Sequence, residues 1–466
     1  MKLRRSAREF TASVARGDLS VTDIVEQHLD AIEALNTVLN AFCTVAAEHA
    51  HTQAALADKR LAQNNSPRAL EGVTVCIKDV TPTAGIRTTF GSELHRDYIP
   101  ESDNWVVTRL KEAGAIVLGK TNTSEFAAGA NATNALFGPT RNPWNPQLTS
   151  GGSTGGGAAA VASCMATLAE GCDMGGSLRI PASFCGIIGI RPTFGLVPTV
   201  PNPTPWDTLQ VQGPMARTAD DVARMLDVIS GHAPQSPLSA PFSNDILSDF
   251  EQTKQKTFRI AYAPTISGIQ PDSDITKRSE SALSTLANAG IEIDTIELDL
   301  SHGRDAFIAL RGLFIAQSHI DKLDQLDRMG ANLRNNLQQG LKVTTAELAA
   351  AERSRASIAH SLSAIFKKYD AIITPCIPIE PFSTEQNYPT EINGKPMETY
   401  IDWVAQTFLI SLASVPAVSV PFGLSSKTLP MGWQLVGPRW SDGKMLALAE
   451  QIQQALPMIP PPNAAE

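Results

Sequence analysis

The sequence predicts an α/β fold, a sheet with helices on both faces. Two observations carry that prediction. Short apolar runs rich in β-branched residues alternate with longer stretches of helical periodicity, as in Val73 to Ile77, then Asn104 to Glu112, then Ala115 to Leu118. The residues that can do chemistry fall at the ends of such runs and in the turns after them, where open α/β sheets carry their sites. With 43% hydrophobic and 18% charged residues in a chain of 466, a large ordered core is affordable.

Taken in order, residues 20 to 36 suit a helix. Ser20 can cap it with Asp23 three residues on, and Val21, Ile24, Val25, Leu29, Ile32 and Leu35 form one apolar stripe. Residues 45 to 64 make a second, more polar helix, so an N-terminal helical layer precedes the first strand. That strand, Val73 to Ile77, ends in Lys78. After the helix at 104 to 112, Gly114 turns the chain into the strand Ala115 to Leu118. Gly114 to Thr121 spells the phosphate-loop pattern G-x-x-x-x-G-K-[ST], but its four middle residues are the strand itself. They cannot also curl N–H groups around a phosphate, so nucleotide binding is set aside.

The Ala-rich run from Ala158 to Thr167 suits a helix of about three turns. Residues 199 to 210 are a proline-rich loop. Met215 to Ser230 is expected to be helical. Residues 233 to 245, rich in Pro and Ser, are the strongest internal seam. Then come a strand at 258 to 261, a helix at 274 to 289 and a strand at 291 to 298. Residues 303 to 369 carry helical faces only, among them Leu310, Leu313, Phe314, Ile358 and Leu362. Asp370 to Pro375 resumes the sheet, and Lys444 to Leu456 is a closing helix.

The net charge is −9 with pI near 5.5 and no basic block, which argues against a nucleic-acid partner. The charged first ten residues lack the apolar run of a signal peptide. No stretch is long and apolar enough to span a bilayer. A cytoplasmic protein with no membrane association is expected. The six cysteines form no Cys-x-x-Cys and none has a histidine at ligand spacing, so no metal and no cofactor are expected.

The stretch that organises the chain runs from 149 to 181. Ser153 lies in Thr-Ser-Gly-Gly-Ser-Thr-Gly-Gly-Gly, and Ser177, 24 residues later, in Gly-Cys-Asp-Met-Gly-Gly-Ser-Leu-Arg-Ile-Pro. Glycine-rich backbone lets a substrate approach closely and frees N–H groups to face it. The helix between the two beds would return the chain so that they meet. This stretch resembles the amidase signature enzymes, serine hydrolases of carboxamides. The resemblance runs from about residue 20 to 455, tightest between 70 and 195. It implies a large mixed central β-sheet covered by helices on both faces, in a single domain over residues 1–466. Residues 70–195 would be its signature core and 300–369 a variable helical region walling the substrate pocket. The stretches 415 to 421 and 431 to 438 resemble that family's last strands.

The resemblance makes Ser177 the nucleophile, Ser153 a bridging serine on a cis peptide, and Lys78, 75 residues before Ser153, the base. Thr154 and Gly157 depart from the family's serines; Thr154 keeps a hydroxyl, while Gly157 loses one. A serine hydroxyl is weak until a base takes its proton. Taken alone, Lys78 reads as a strand-end lysine paired with Asp79. Desolvation disfavours an ammonium, and with the resemblance this favours Lys78 as the base. None of the eight histidines falls in the glycine beds or the lysine strand, and most are expected at the surface. A Ser-His-Asp arrangement is the competing reading. The N–H groups of Met174, Gly175, Gly176 and Ser177 can face a tetrahedral oxyanion. Asp173 and Arg179 are expected to fix the loop.

The chain is therefore read as an amidase acting on a small-molecule amide, as a monomer or homodimer. Val404, beside Trp403, occupies the place where the glutamine-hydrolysing component of a tRNA amidotransferase carries an acidic residue. An apolar pair there favours an apolar or aryl acyl group. That component, and hydrolases of carbamates or ureas with the same triad, are the alternatives. A non-enzymatic binding protein would lack one of the three residues, and all are present.

Overall fold

Side chains alternate along each strand between two faces, and here both faces are covered. The computed structural model describes residues 3–63, 66–241 and 245–465. Among these, eleven strands form one sheet: β1 (Phe42–Val45), β2 (Thr74–Lys78), β3 (Ile116–Thr121), β4 (Leu168–Asp173), β5 (Ile188–Arg191), β6 (Val211–Ala216), β7 (Arg259–Tyr262), β8 (Glu292–Thr295), β9 (Ala371–Pro375), β10 (Ala417–Leu424) and β11 (Pro430–Val436). Across the sheet they run β1-β3-β2-β4-β6-β5-β10-β11-β9-β7-β8. β2 is parallel to β3 and β4, and β7 to β8 and β9, while the remaining neighbours are antiparallel. The sheet is mixed, as the resemblance implies, and strands from both sides of the Pro/Ser-rich seam belong to it. Residues 242–244 of that seam lie outside the described residues.

Val75 and Ile77 enter a core on one face, and Cys76 between them enters a core on the other. Ile373 and Leu435 share the first core, whereas Ile372 and Val436 turn to a third. Burial on both faces explains why the strands read as continuous apolar runs. Helices α1 (Ala7–Ala15), α2 (Val21–Leu39), α3 (Ala47–Ala62) and α5 (Gly155–Ala162) cover one half of one face, after α4 (Trp105–Glu112) on the other face. α6 (Arg179–Cys185) follows the second glycine bed. α7 (Ala219–Ile229), α8 (Ile246–Thr253) and α9 (Ser273–Asn288) share the face of α4. α10 (Arg304–His319), α11 (Ala331–Gly340) and α12 (Thr345–Ile365) fall in the helical region expected at 300–369, α13 (Ala405–Ser411) lies beyond it, and α14 (Asp442–Ala455) closes the chain.

Ser20 and Asp23 form the expected capping box, and α2 buries Val21, Ile24, Val25 and Ile32. Several expectations need correction. The helix expected at 45 to 64 starts only at Ala47, because Phe42–Val45 pairs with β3 as an edge strand; Asn64 lies outside the described residues. The Ala-rich helix ends at Ala162, not Thr167, where Cys164 takes a positive φ of 62°. Met215 and Ala216, expected in a helix, pair with Ala169 and Leu168 in the sheet, and Thr218 caps the helix that follows. The phosphate-loop look-alike is strand β3. Its Gly119 has φ +151°, and a Cβ there would sit 2.1 Å from the Thr44 carbonyl oxygen. Its Lys120 is buried, and its Nζ donates to the Thr83 and Thr88 hydroxyls at 3.0 Å each.

Among the described residues no helix is long and apolar enough to cross a membrane. No cluster of three His, Cys, Asp or Glu side chains there could hold a metal ion.

Candidate active site

β2 lies between β3 and β4, so its end is deep in the protein and Lys78 is fully buried. Its Nζ is 2.6 Å from Ser153 Oγ, 2.9 Å from Thr154 Oγ1 and 3.3 Å from Cys172 Sγ. The strand-end ion pair with Asp79 is not formed. Asp79 instead accepts from the Thr89 N–H at 3.2 Å and the Thr89 hydroxyl at 2.5 Å. Among the described residues no carboxylate forms an ion pair with Lys78. Glu170, its neighbour on β4, accepts the Lys78 backbone N–H at 3.2 Å, the Thr81 hydroxyl at 3.0 Å and the Gln212 side-chain amide at 3.2 Å. Burial raises the Glu170 pKa against the opposing pull of Lys120 and Lys78.

The first glycine bed leads into α5. The Gly152-Ser153 peptide is cis, and a Cβ on Gly152 would meet the Asn131 carbonyl carbon at 2.5 Å. Thr154, the departure from the family's serine, uses its hydroxyl to accept from Lys78 and to reach the Cys172 carbonyl oxygen at 3.4 Å. Its methyl fills the space a Cβ on Gly171 would need, 2.4 Å away. Gly157 packs toward Ala169 and Met215, an apolar surrounding in which no hydroxyl is missed. The Thr154 N–H donates to the Ser177 carbonyl at 3.2 Å, which joins the two beds.

Asp173, at the end of β4, holds the second bed. Its carboxylate accepts from Arg179 Nη2 and Nε at 2.8 and 2.9 Å, and from the N–H groups of Gly176 and Leu178 at 2.9 and 3.2 Å. Arg191 stands 3.5 Å off. All three side chains are fully buried. Burial by itself would raise the Asp173 pKa, but Arg179 and then Arg191 outweigh it and hold the group well below the usual carboxylate range. This arrangement removes one of the four expected oxyanion donors, since the Gly176 N–H already serves Asp173. Among the described residues the N–H groups of Met174, Gly175 and Ser177 have no partner.

Ser177 is partly exposed and lines a cavity with Phe126, Phe307, Phe314, Ile401 and Val404. Val404 therefore stands where the sequence puts a pocket residue. Trp403 does not. It is fully buried in the core, stacked on Phe184 with ring centroids 6.0 Å apart and edge-on to Phe382 at 5.3 Å.

Two histidines are not at the surface. His28 is buried with Nδ1 2.8 Å from the Ile24 carbonyl, and burial lowers its pKa to about 4. His319 is buried and is likewise lowered to about 4. With His95 it lines an outer cleft that shares Phe126, Cys172 and Phe314 with the Ser177 cavity, but neither lines the cavity itself. Sequence reasoning missed Cys172, visible only as a third neighbour of Lys78, and Phe126 and Ala127, which reach the cavity through positive φ values of 45° and 58°. It also missed Arg311, whose one signal was a charge within the apolar stripe Leu310, Leu313 and Phe314.

Residues 23–446 match the amidase family. The chain is 32% identical over 477 residues to a glutamyl-tRNA(Gln) amidotransferase subunit of Carboxydothermus hydrogenoformans, covering 96% of each. Among solved structures it superposes on a bacterial aryl acylamidase of the amidase signature family with a TM-score of 0.90 at 25% identity, covering 97% and 96% of the two chains. The corresponding glutamyl-tRNA(Gln) amidotransferase subunit of Thermotoga maritima gives 0.78 at 29% identity, covering 100% and 98%.

Proposed function

The chain belongs to the amidase signature family and is an amide-hydrolysing enzyme, and from that premise we propose that Ser177, Ser153 and Lys78 form its catalytic triad. The carrying observation is the buried Lys78 amine 2.6 Å from Ser153 Oγ, with no carboxylate in an ion pair with it among the described residues. Lys78 takes the proton of Ser153, which takes that of Ser177. Ser177 Oγ attacks the amide carbonyl, and the oxyanion is received by the N–H groups of Met174, Gly175 and Ser177. One well-aimed donor is worth roughly 3 to 4 kcal/mol at such a transition state. The C–N bond breaks as the proton returns through Ser153 to the leaving amine. Water, deprotonated by the same relay, then releases the acid from the acyl-enzyme. Asp173 and Arg179 hold the loop that carries these groups.

The acyl group is apolar or aryl. Phe307, Phe314, Ile401 and Val404 wall the cavity beside Ser177 and suit such a group. The identity to amidotransferase subunits favours a second reading, hydrolysis of glutamine within a larger assembly. Val404, apolar where an ammonium would need an acid, counts against it. Carboxamides, anilides, carbamates and free glutamine should be compared as substrates, with a fluorophosphonate probe to label the nucleophile. Turnover of apolar or aryl amides by the isolated chain is expected. Glutamine as the best substrate, cleaved only beside partner subunits, would replace this reading.

A further inference from the structure

We propose that Arg311 anchors a carboxylate at the far end of the acyl group, so that the preferred substrates are amides of ω-carboxylated acids. The inference rests on the hydrolase reading above and adds an anionic end to the apolar or aryl body proposed there. Arg311, on α10, is only 9% exposed, yet it lines the cavity that holds Ser177. With Tyr400 and Ile401 it also forms the partition between that cavity and a neighbouring cleft.

Its partners are all neutral. Nη1 donates to Asn336 Oδ1 at 2.5 Å, Nη2 donates to the Tyr400 hydroxyl, and the Tyr400 ring centroid lies 5.5 Å from the guanidinium carbon. Asn336 is itself fixed, since its Nδ2 donates to the Asn332 carbonyl at 2.5 Å and to the Tyr400 hydroxyl at 2.7 Å. These contacts orient the guanidinium and leave its charge uncompensated. The acids of the same region are turned elsewhere: Glu398 and Asp402 face Arg304 at 3.6 and 2.8 Å. Among the described residues no carboxylate pairs with Arg311. By contrast, the buried Arg179 and Arg191 both face Asp173.

A buried charge without a counter-ion is costly, and the cost falls when an anion arrives. A guanidinium presents a planar fork that matches a carboxylate. The rest of the wall, Phe307, Phe314, Ile401 and Val404, suits an aliphatic or aryl body between the scissile carbonyl and that anion. No acid on this wall could take an ammonium. The favoured ligand is thus an anion without an α-amine, which separates it from glutamine.

The test compares two sets of p-nitroanilides over a short series of chain lengths, one ending in a carboxylate and the other in a methyl group. The readout is the ratio of kcat/KM, carboxylate over methyl, in wild type, Arg311→Gln, Arg311→Lys and Asn336→Asp. The wild-type ratio should exceed one at the best length. It should fall roughly 10- to 100-fold in Arg311→Gln, the span of hydrogen bonds to charged groups, and recover in part in Arg311→Lys. Asn336→Asp sets a carboxylate beside the guanidinium with almost no change of shape. It should also lower the ratio, and it decides the matter if Arg311→Gln does not fold. A ratio that stays constant while both rates fall would make Arg311 a brace between helices and overturn the anchor. Equal turnover of both sets by wild type overturns the anchor and leaves the hydrolase reading standing. Turnover of neither overturns both.

Discussion

Replacing Asp173 by asparagine keeps the shape of the side chain and removes its charge. The wild-type carboxylate ties Arg179 through two bonds and also holds the Gly176 and Leu178 N–H groups, all without solvent. Breaking a buried pair costs about 3 to 5 kcal/mol. Arg179 keeps the Thr407 carbonyl and the Ser411 hydroxyl at 2.8 Å each, and Gln434 besides, which sets the loss near the lower end, about 3 kcal/mol. At about 2.1 cal/mol/K per residue this chain unfolds with about 1 kcal/mol/K of entropy, so Tm should drop by about 3 °C. The effect on rate is larger. An asparagine oxygen cannot hold both N–H groups and Arg179, so the loop from Met174 to Ser177 loses its aim. One misdirected oxyanion donor costs about 10²- to 10³-fold in kcat. Because the Asp173 pKa is depressed in the fold, its stabilisation is present above the ordinary carboxylate value and is lost as pH falls below it. The Tm gap between wild type and variant should be flat at neutral pH and narrow in acid. Melting curves and kcat with KM on one activated anilide make the assay. A kcat within about threefold of wild type, with the Tm loss intact, would refute the claim that Asp173 aims the loop.

Ser177→Ala should abolish both hydrolysis and fluorophosphonate labelling while melting like wild type. Lys78→Ala should lower kcat by about 10²- to 10⁴-fold, and Lys78→Arg should not restore it, since arginine stays protonated; steady-state rates check both. With His319 lowered to about 4 and His95 also lowered, kcat/KM against pH should show no inflection near 6.5. An inflection there that His95→Gln or His319→Gln removes would bring back a histidine base. His28 has a folded pKa of about 4 against 6.5 unfolded, so its stabilisation is complete above 6.5 and fades as pH falls toward 4, by about 3 kcal/mol. Tm from pH 7 to 4 should fall less in His28→Gln than in wild type.

Local rules wrote some elements plainly into the sequence. The Ser20–Asp23 capping box, the β-branched run before Lys78 and the two glycine beds each rest on residues close together in the chain. Elsewhere the deciding contacts are distant. Gly213 and Pro214 disguise β6, because a proline in a central strand argues against the strand it sits in. β1 is four residues long and exists by pairing with β3. Trp403 and Val404 are neighbours in sequence, yet one residue along a 3₁₀ turn rotates the side chain by about 120°, which sends one to the core and the other to the cavity. The Gly176 N–H looked free for an oxyanion until the fold showed Asp173 accepting it. Arg311 meets Tyr400, 89 residues away, and no local pattern predicts that meeting.

This division bears on how far likeness to relatives reaches. At Gly152, Gly156 and Gly213 an added Cβ would lie 2.5 to 2.6 Å from a backbone atom. Any chain with this backbone needs glycine there, whatever amide it cleaves. Lys78, Ser153 and Ser177, the proposed triad, sit among those positions, so the proposed attack on a carbonyl belongs to the scaffold. In the proposed reading the group beyond the carbonyl meets a few side chains on other elements, Arg311 and Phe307 on α10 and Val404 before α13. Changing them asks nothing of the glycines or the sheet. Substrate preference can therefore differ between chains that share the proposed triad and most of the backbone, and the proposal for this chain's substrate rests on the side chains at 311 and 404 and not on its overall identity to a relative.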